Sequence, residues 1–113
     1  MALRSDEVST AVTECIQLLE RGLRIETVIL YGSCSRNEQH DGSDIDIAVV
    51  SPDFEGMPAG LRQVELAKLL LKANPWISAI GYPSSSYHNP GSHSFLGEII
   101  RTGRVVYQAP QAA

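Results

Sequence analysis

The segment Asp44-Ile45-Asp46-Ile47-Ala48-Val49-Val50 sets two carboxylates at alternate positions inside a β-branched run that stops at Ser51-Pro52. Residues of this kind suit a pleated, half-buried surface, so the run reads as a strand. Successive side chains of a strand alternate faces. Asp44 and Asp46 therefore share one side, about 6.5 to 7 Å apart along the backbone, while Ile45, Ile47 and Val49 take the other. Such a strand needs an apolar layer beneath it. Above it the two like charges require water, a basic group or a cation between them.

The rest of the chain supplies that setting. Thr27-Val-Ile-Leu-Tyr31, closed by Gly32, reads as a strand buried on both faces. Before it, Ser5 caps a helix over about residues 6 to 21, with Asp6 and Glu7 in its first turn. Val8, Val12, Cys15, Ile16 and Leu19 recur along it at helical spacing, and Gly22 ends it. Residues 52–60 read as a loop from their Pro and Gly content. In the next stretch Leu61, Val64, Ala67, Leu70 and Leu71 oppose Arg62, Glu65, Lys68 and Lys72, the pattern of an amphipathic helix closed by Asn74-Pro75.

Trp76 to Tyr82 predicts a third strand, residues 83–93 a loop, and Phe95, Leu96, Ile99 and Ile100 a last helix stopped by Gly103. Val105 to Tyr107 adds an edge strand. The expected fold is α+β (α/β): a small mixed sheet with packed helices, one domain over residues 1–108, and a frayed tail over 109–113. For 113 residues a single domain, without separate cofactor and substrate lobes, is expected.

Charge narrows the partners. Nine Lys and Arg against 13 Asp and Glu give a net charge of −4 and a pI near 5.2, which argues against non-specific nucleic-acid binding. The start MALRSDEVST lacks a basic region followed by an apolar one, and no run approaches the ~18 apolar residues of a membrane span. A cytoplasmic protein that does not enter membranes is expected. Cys15 and Cys34 have no metal-site or disulfide-framework spacing and read as two reduced thiols.

The Asp pair suits one hard divalent cation, magnesium in the first instance, held through oxygens. Gly32 and Ser33 follow the preceding strand, where a residue without Cβ admits a phosphate and turn amides can donate to it. Arg36 offers a charge-assisted contact to the same anion. Phosphate donors and metal-holding carboxylates thus flank one loop, the arrangement that phosphoryl or nucleotidyl transfer requires. No Gly-x-x-x-x-Gly-Lys loop, Gly-x-Ser-x-Gly elbow or Cys/His cluster is present. A calcium-loop reading from Asn37 fails because its twelfth position is Ala48.

Gly32-Ser33, ten residues (34–43) and then Asp44-Ile45-Asp46 resemble the Gly-Ser, ten residues, Asp-x-Asp signature of the DNA polymerase beta nucleotidyltransferase superfamily. Within it the chain is most similar to the minimal nucleotidyltransferases, short proteins that include antitoxin partners of HEPN-domain proteins. Arg36 and Ser43 fit the group's pattern, Asn37 stands where Gly is usual, and the closing FLGEIIRTGRVVY resembles its ending.

The resemblance implies a nucleoside triphosphate, ATP in the first instance, bound at Gly32, Ser33, Arg36 and Ser43. It implies Asp44 and Asp46 as catalytic magnesium ligands, and transfer of a nucleoside monophosphate to a hydroxyl with release of pyrophosphate. It also implies a HEPN-like protein partner or a homo-oligomer. The family carries a third carboxylate on the neighbouring strand. Here the aligned position is Ser78 or Ala79, and residues 66–97 contain no Asp or Glu.

Either Glu98, His88 or His93 takes the third carboxylate's role, or the chain is a catalytically impaired domain acting as an antitoxin or binding subunit. His40, in the spacer, reads as a solvated loop residue and Trp76 as core or partner-facing. The consecutive Leu69, Leu70 and Leu71 exceed one core-facing stripe and point to a protein partner.

Overall fold

The computed structural model describes residues 5–32 and 45–110. Helix α1 (Ser5–Leu19) is followed by strands β1 (Thr27–Tyr31) and β2 (Ile45–Ser51). A 3-10 turn at Pro52–Phe54 leads to α2 (Ala59–Leu69) and β3 (Ile77–Pro83). Helices α3 (Ser84–His88) and α4 (Phe95–Thr102) and strand β4 (Arg104–Gln108) complete the described fold.

The four strands form one mixed sheet in the order β3-β2-β1-β4. β1 pairs antiparallel with β2 and β4, whereas β2 and β3 run parallel. The parallel pair needs a crossover, which α2 provides. This is the α+β fold expected from sequence.

Each face of the sheet has its own layer. Val28, Leu30, Ile45, Ile47 and Val49 pack with the buried stripe of α1 (Val8, Ala11, Val12, Cys15, Ile16, Leu19) and with Leu66 of α2. Each fully buried aliphatic side chain contributes about 1.5 to 3 kcal/mol. On the opposite face Ile29 and Ala48 pack with Ile99 of α4, joined by Tyr31, Ile80, Tyr82 and Tyr87.

Several predicted boundaries move. α1 ends at Leu19, and residues 20–22 form a turn whose amides donate to carbonyls of the last helical turn. α2 begins at Ala59, inside the predicted loop, and ends at Leu69. The predicted 83–93 loop contains α3, whose helical start is fixed by a residue distant in sequence. Glu55 accepts from the Ser85 amide and hydroxyl, both at 2.7 Å. At the other end of α3, His88 Nε2 lies 2.6 Å from Glu26 Oε2. No periodicity in SSSYH signals a helix held by such remote contacts.

Within the leucine run, Leu69 and Leu70 pack against the larger core and only Leu71, 83% exposed, faces outward. Trp76 is 36% exposed at the entry to β3. The Ala109 amide donates to the Glu26 carbonyl at 2.8 Å, and residues 111–113 lie outside the described set. No helix among the described residues is long and apolar enough to cross a membrane.

Candidate active site

β2 is buried at every position except Asp46, which is half-buried. The central strand therefore opens at the one described position where it carries a charge. Asp46 stands opposite Tyr31 on β1 and beside Ser78 on β3, so the three side chains lie in a row on one face of the sheet. This is the face that α3 and α4 partly cover.

Gly32 brings the chain over that row. It adopts φ +75°, the left-handed region that side chains disfavour. A β-carbon placed there would meet Asp46 Oδ2 at 2.8 Å. The glycine thus has two independent physical reasons to lack a side chain, and its backbone lies directly against the carboxylate. Asp46 would offer a carboxylate oxygen to a hard cation and the bare Gly32 backbone would admit a phosphate beside it, so the residues present fit both groups.

Of the expected site residues, Gly32 and Asp46 are brought together. Ser33, Arg36, Ser43 and Asp44, with Cys34 and His40, lie outside the described residues. Among the described residues no group of three or more His, Cys, Asp or Glu side chains gathers.

The register separates the two alternatives for the third-carboxylate position. Ser78 is the parallel neighbour of Asp46 on the same face, while Ala79 pairs with Ile47 and packs against the larger core. Ser78 is exposed and brings a hydroxyl where a carboxylate would complete a triad.

His88 is at the wrong end to replace it. Its partner Glu26 precedes the first residue of β1, whereas Asp46 lies opposite the last, a separation of ~17 Å along the strand. Glu98 is engaged by Arg101 one helical turn away. His93 is exposed in the α3–α4 connection.

Tyr31 is pushed up to about 12, by burial first, then by the Asp46 charge and by Tyr82. Near neutral pH it stays protonated, a hydrogen-bond donor rather than a base. Phe95, the first residue of α4, meets its ring edge-on with centroids 5.8 Å apart.

Beyond Phe95 a pocket of about 300 Å³ opens between α2, β3 and the α3–α4 connection, lined by Arg62, Tyr82, Ser86, Asn89 and Ser94 among others. A larger hollow of about 700 Å³ lies at the far end of the sheet by Arg24, Glu26 and His88. It is remote from Asp46.

Sequence reasoning missed Tyr31, Tyr82, Phe95 and Arg62. Their convergence depends on the pairing of β1 with β2 and on where the α3–α4 connection returns. Its place directly before Gly32, the glycine that closes β1, was the one signal available for Tyr31.

Comparison with known proteins gives concordant findings. The family described as "Polymerase beta, Nucleotidyltransferase" matches residues 13–112. A protein of Methanocaldococcus jannaschii, named as a candidate protein adenylyltransferase, is 34% identical over 102 residues, covering 86% of this chain and 95% of that protein. A crystal structure from Sulfolobus solfataricus, titled as a candidate nucleotidyltransferase, superposes with a TM-score of 0.71 at 15% identity. It covers 92% of this chain and 83% of the other, a likeness of fold.

Proposed function

The chain belongs to the polymerase beta nucleotidyltransferase family, and from that premise we propose that it moves AMP from ATP to a hydroxyl on a partner protein. It is a nucleotidyltransferase. The acceptor class follows the name carried by the Methanocaldococcus jannaschii relative. The observation that carries the site assignment is the contact of Gly32 with Asp46 at the one open position of the central strand.

Gly32, Ser33, Arg36 and Ser43 bind the triphosphate, and Asp44 and Asp46 hold magnesium; nucleotidyltransferases of this family use a divalent metal. The metal supplies charge neutralisation at the phosphate oxygens. The acceptor hydroxyl gives up its proton to solvent and its oxygen bonds to the α-phosphorus as the bond to pyrophosphate breaks. The chain's own contribution is to hold Asp46 in the sheet and to keep Tyr31 as a neutral donor beside it.

Transfer of label from α-phosphate-labelled ATP to a copurifying protein, dependent on magnesium, tests the reading. Asp44→Asn with Asp46→Asn is expected to abolish it. Label transfer that survives the double change contradicts the residue assignment.

Ser78 beside Asp46 favours a second reading, a catalytically impaired domain that neutralises a HEPN-type partner by binding it, as an antitoxin. That reading expects complex formation indifferent to magnesium, nucleotide and the Asp pair. Loss of neutralisation in the double Asn variant contradicts it.

A further inference from the structure

We propose that the pocket between α2, β3 and the α3–α4 connection is the nucleoside subsite, taking the base and ribose of the nucleotide whose phosphates lie at Gly32 and Asp46. The inference rests on the nucleotide reading above and adds where the uncharged half of the substrate goes.

Position is the first argument. Tyr31 is the cross-strand partner of Asp46, and Phe95 rests on Tyr31. The wall of the pocket therefore stands roughly 10 Å from the metal-binding carboxylate, given ~5 Å between paired strand residues. That is the span of a ribose and base attached to a phosphate. The pocket shares the face of the sheet on which Asp46 opens, since Tyr82 is the parallel neighbour of Val50, four residues or ~13 Å along β2 from Asp46, so the pocket runs from its Phe95 wall away from the carboxylate. Its volume of about 300 Å³ is at the lower end of small-molecule sites.

Chemistry is the second. Phe95 is 57% exposed, although it is the first apolar residue of a helix whose Leu96 and Ile99 are buried. An aromatic face left in solvent beside a nucleotide site is a surface on which a base can stack. Arg62 forms the opposite wall. Its Nη1 donates to the Met57 carbonyl at 2.9 Å, which pins the guanidinium. Its Nε is buried without a hydrogen-bond partner, and no ion pair to a described carboxylate offsets the charge.

The buried Nε is out of a ligand's reach, but a pinned and unneutralised guanidinium still costs stability unless an acceptor uses its remaining Nη donors. The ring nitrogens and carbonyls of a nucleobase are acceptors that can do so. Ser86 and Asn89 add a hydroxyl and an amide at the rim, matched to the hydroxyls of a ribose, while the Ser94 hydroxyl is taken up capping α4.

Calorimetry with two probes tests this: magnesium-ATP, and magnesium with inorganic tripolyphosphate, which has no nucleoside. Phe95→Ala is expected to weaken ATP about five-fold or more, the range seen when a base loses an aromatic partner, and to leave tripolyphosphate unchanged. Arg62→Gln is expected to do the same, with circular dichroism verifying that both variants fold. ATP affinity unchanged in both variants overturns the subsite, as does an equal loss for the two probes. So does a variant that binds ATP normally while the KM for the acceptor rises, since the pocket then belongs to the acceptor. Wild-type protein that binds neither probe contradicts the nucleotide reading itself.

Discussion

Asp46 and Ser78 are neighbours across the parallel β2–β3 ladder, on the same face of the sheet. A carboxylate at position 78 would stand beside Asp46 on that face, able to hold a second cation or take the acceptor's proton. Ser78 can do neither near neutral pH. Ser78→Asp is therefore expected to raise kcat for transfer by ten-fold or more, since a positioned general base contributes about 10²–10⁴. The KM for ATP should move little. Steady-state kinetics check this, and an unchanged or lower kcat would show that the proton leaves by a route independent of β3.

Gly32→Ala combines an unfavourable φ with a β-carbon 2.8 Å from Asp46 Oδ2. The strain is of order 1–3 kcal/mol. Because it is relieved by displacing the carboxylate, metal-dependent nucleotide binding should fall more than stability does. Paired measurements of magnesium-ATP affinity and urea unfolding separate the two. A variant that binds normally would mean that Asp46 does not need this contact.

Gly81 tests the packing under the opposite face. A β-carbon there would lie 2.7 Å from Phe54 Cε2 and 3.2 Å from Leu66 Cδ1, both in fully buried side chains. Gly81→Ala should destabilise the fold by about 1–3 kcal/mol, the usual cost of overfilling a core. Denaturant midpoints measure it. Nucleotide affinity in the variant should stay near that of the wild type, because Gly81 faces away from Asp46.

The end of the sheet remote from the site is expected to be acid-sensitive. Hydrogen bonds from the Ser85 hydroxyl and amide hold Glu55 below its ordinary value of 4.5. The Arg24 side chain and amide do the same for Asp53, ordinarily 3.8. For a depressed carboxylate the stabilisation is complete above the unfolded value and is lost as pH falls through the lower folded one. Stability should therefore drop below about pH 4.5, where the unfolded groups begin to take up protons ahead of the folded ones. Unfolding followed across this range should show a shallower acid limb for Glu55→Gln with Asp53→Asn.

Much of the fold was legible because its signals are local. The stripe of α1 and the β-branched runs of β1 and β2 each announce their element within a few residues, and the structure keeps them. α3 was invisible because its two ends are held by Glu55 and Glu26, each far away in the chain. The site divides in the same way. Gly32 and Asp46 are joined by a spacing that a sequence can display, and the choice of Ser78 over Ala79 needed only the strand register. Arg62, Tyr82 and Phe95 come from three separate elements, and no periodicity links them.

The central claim is metal-dependent transfer of a nucleotide through Asp44 and Asp46. Intact-mass spectrometry of the copurifying partner, after incubation with ATP and magnesium, tests it most directly. The account predicts a gain equal to one nucleoside monophosphate residue with the wild-type protein, and none with Asp44→Asn and Asp46→Asn or with the metal chelated. The same gain in the double variant would contradict it.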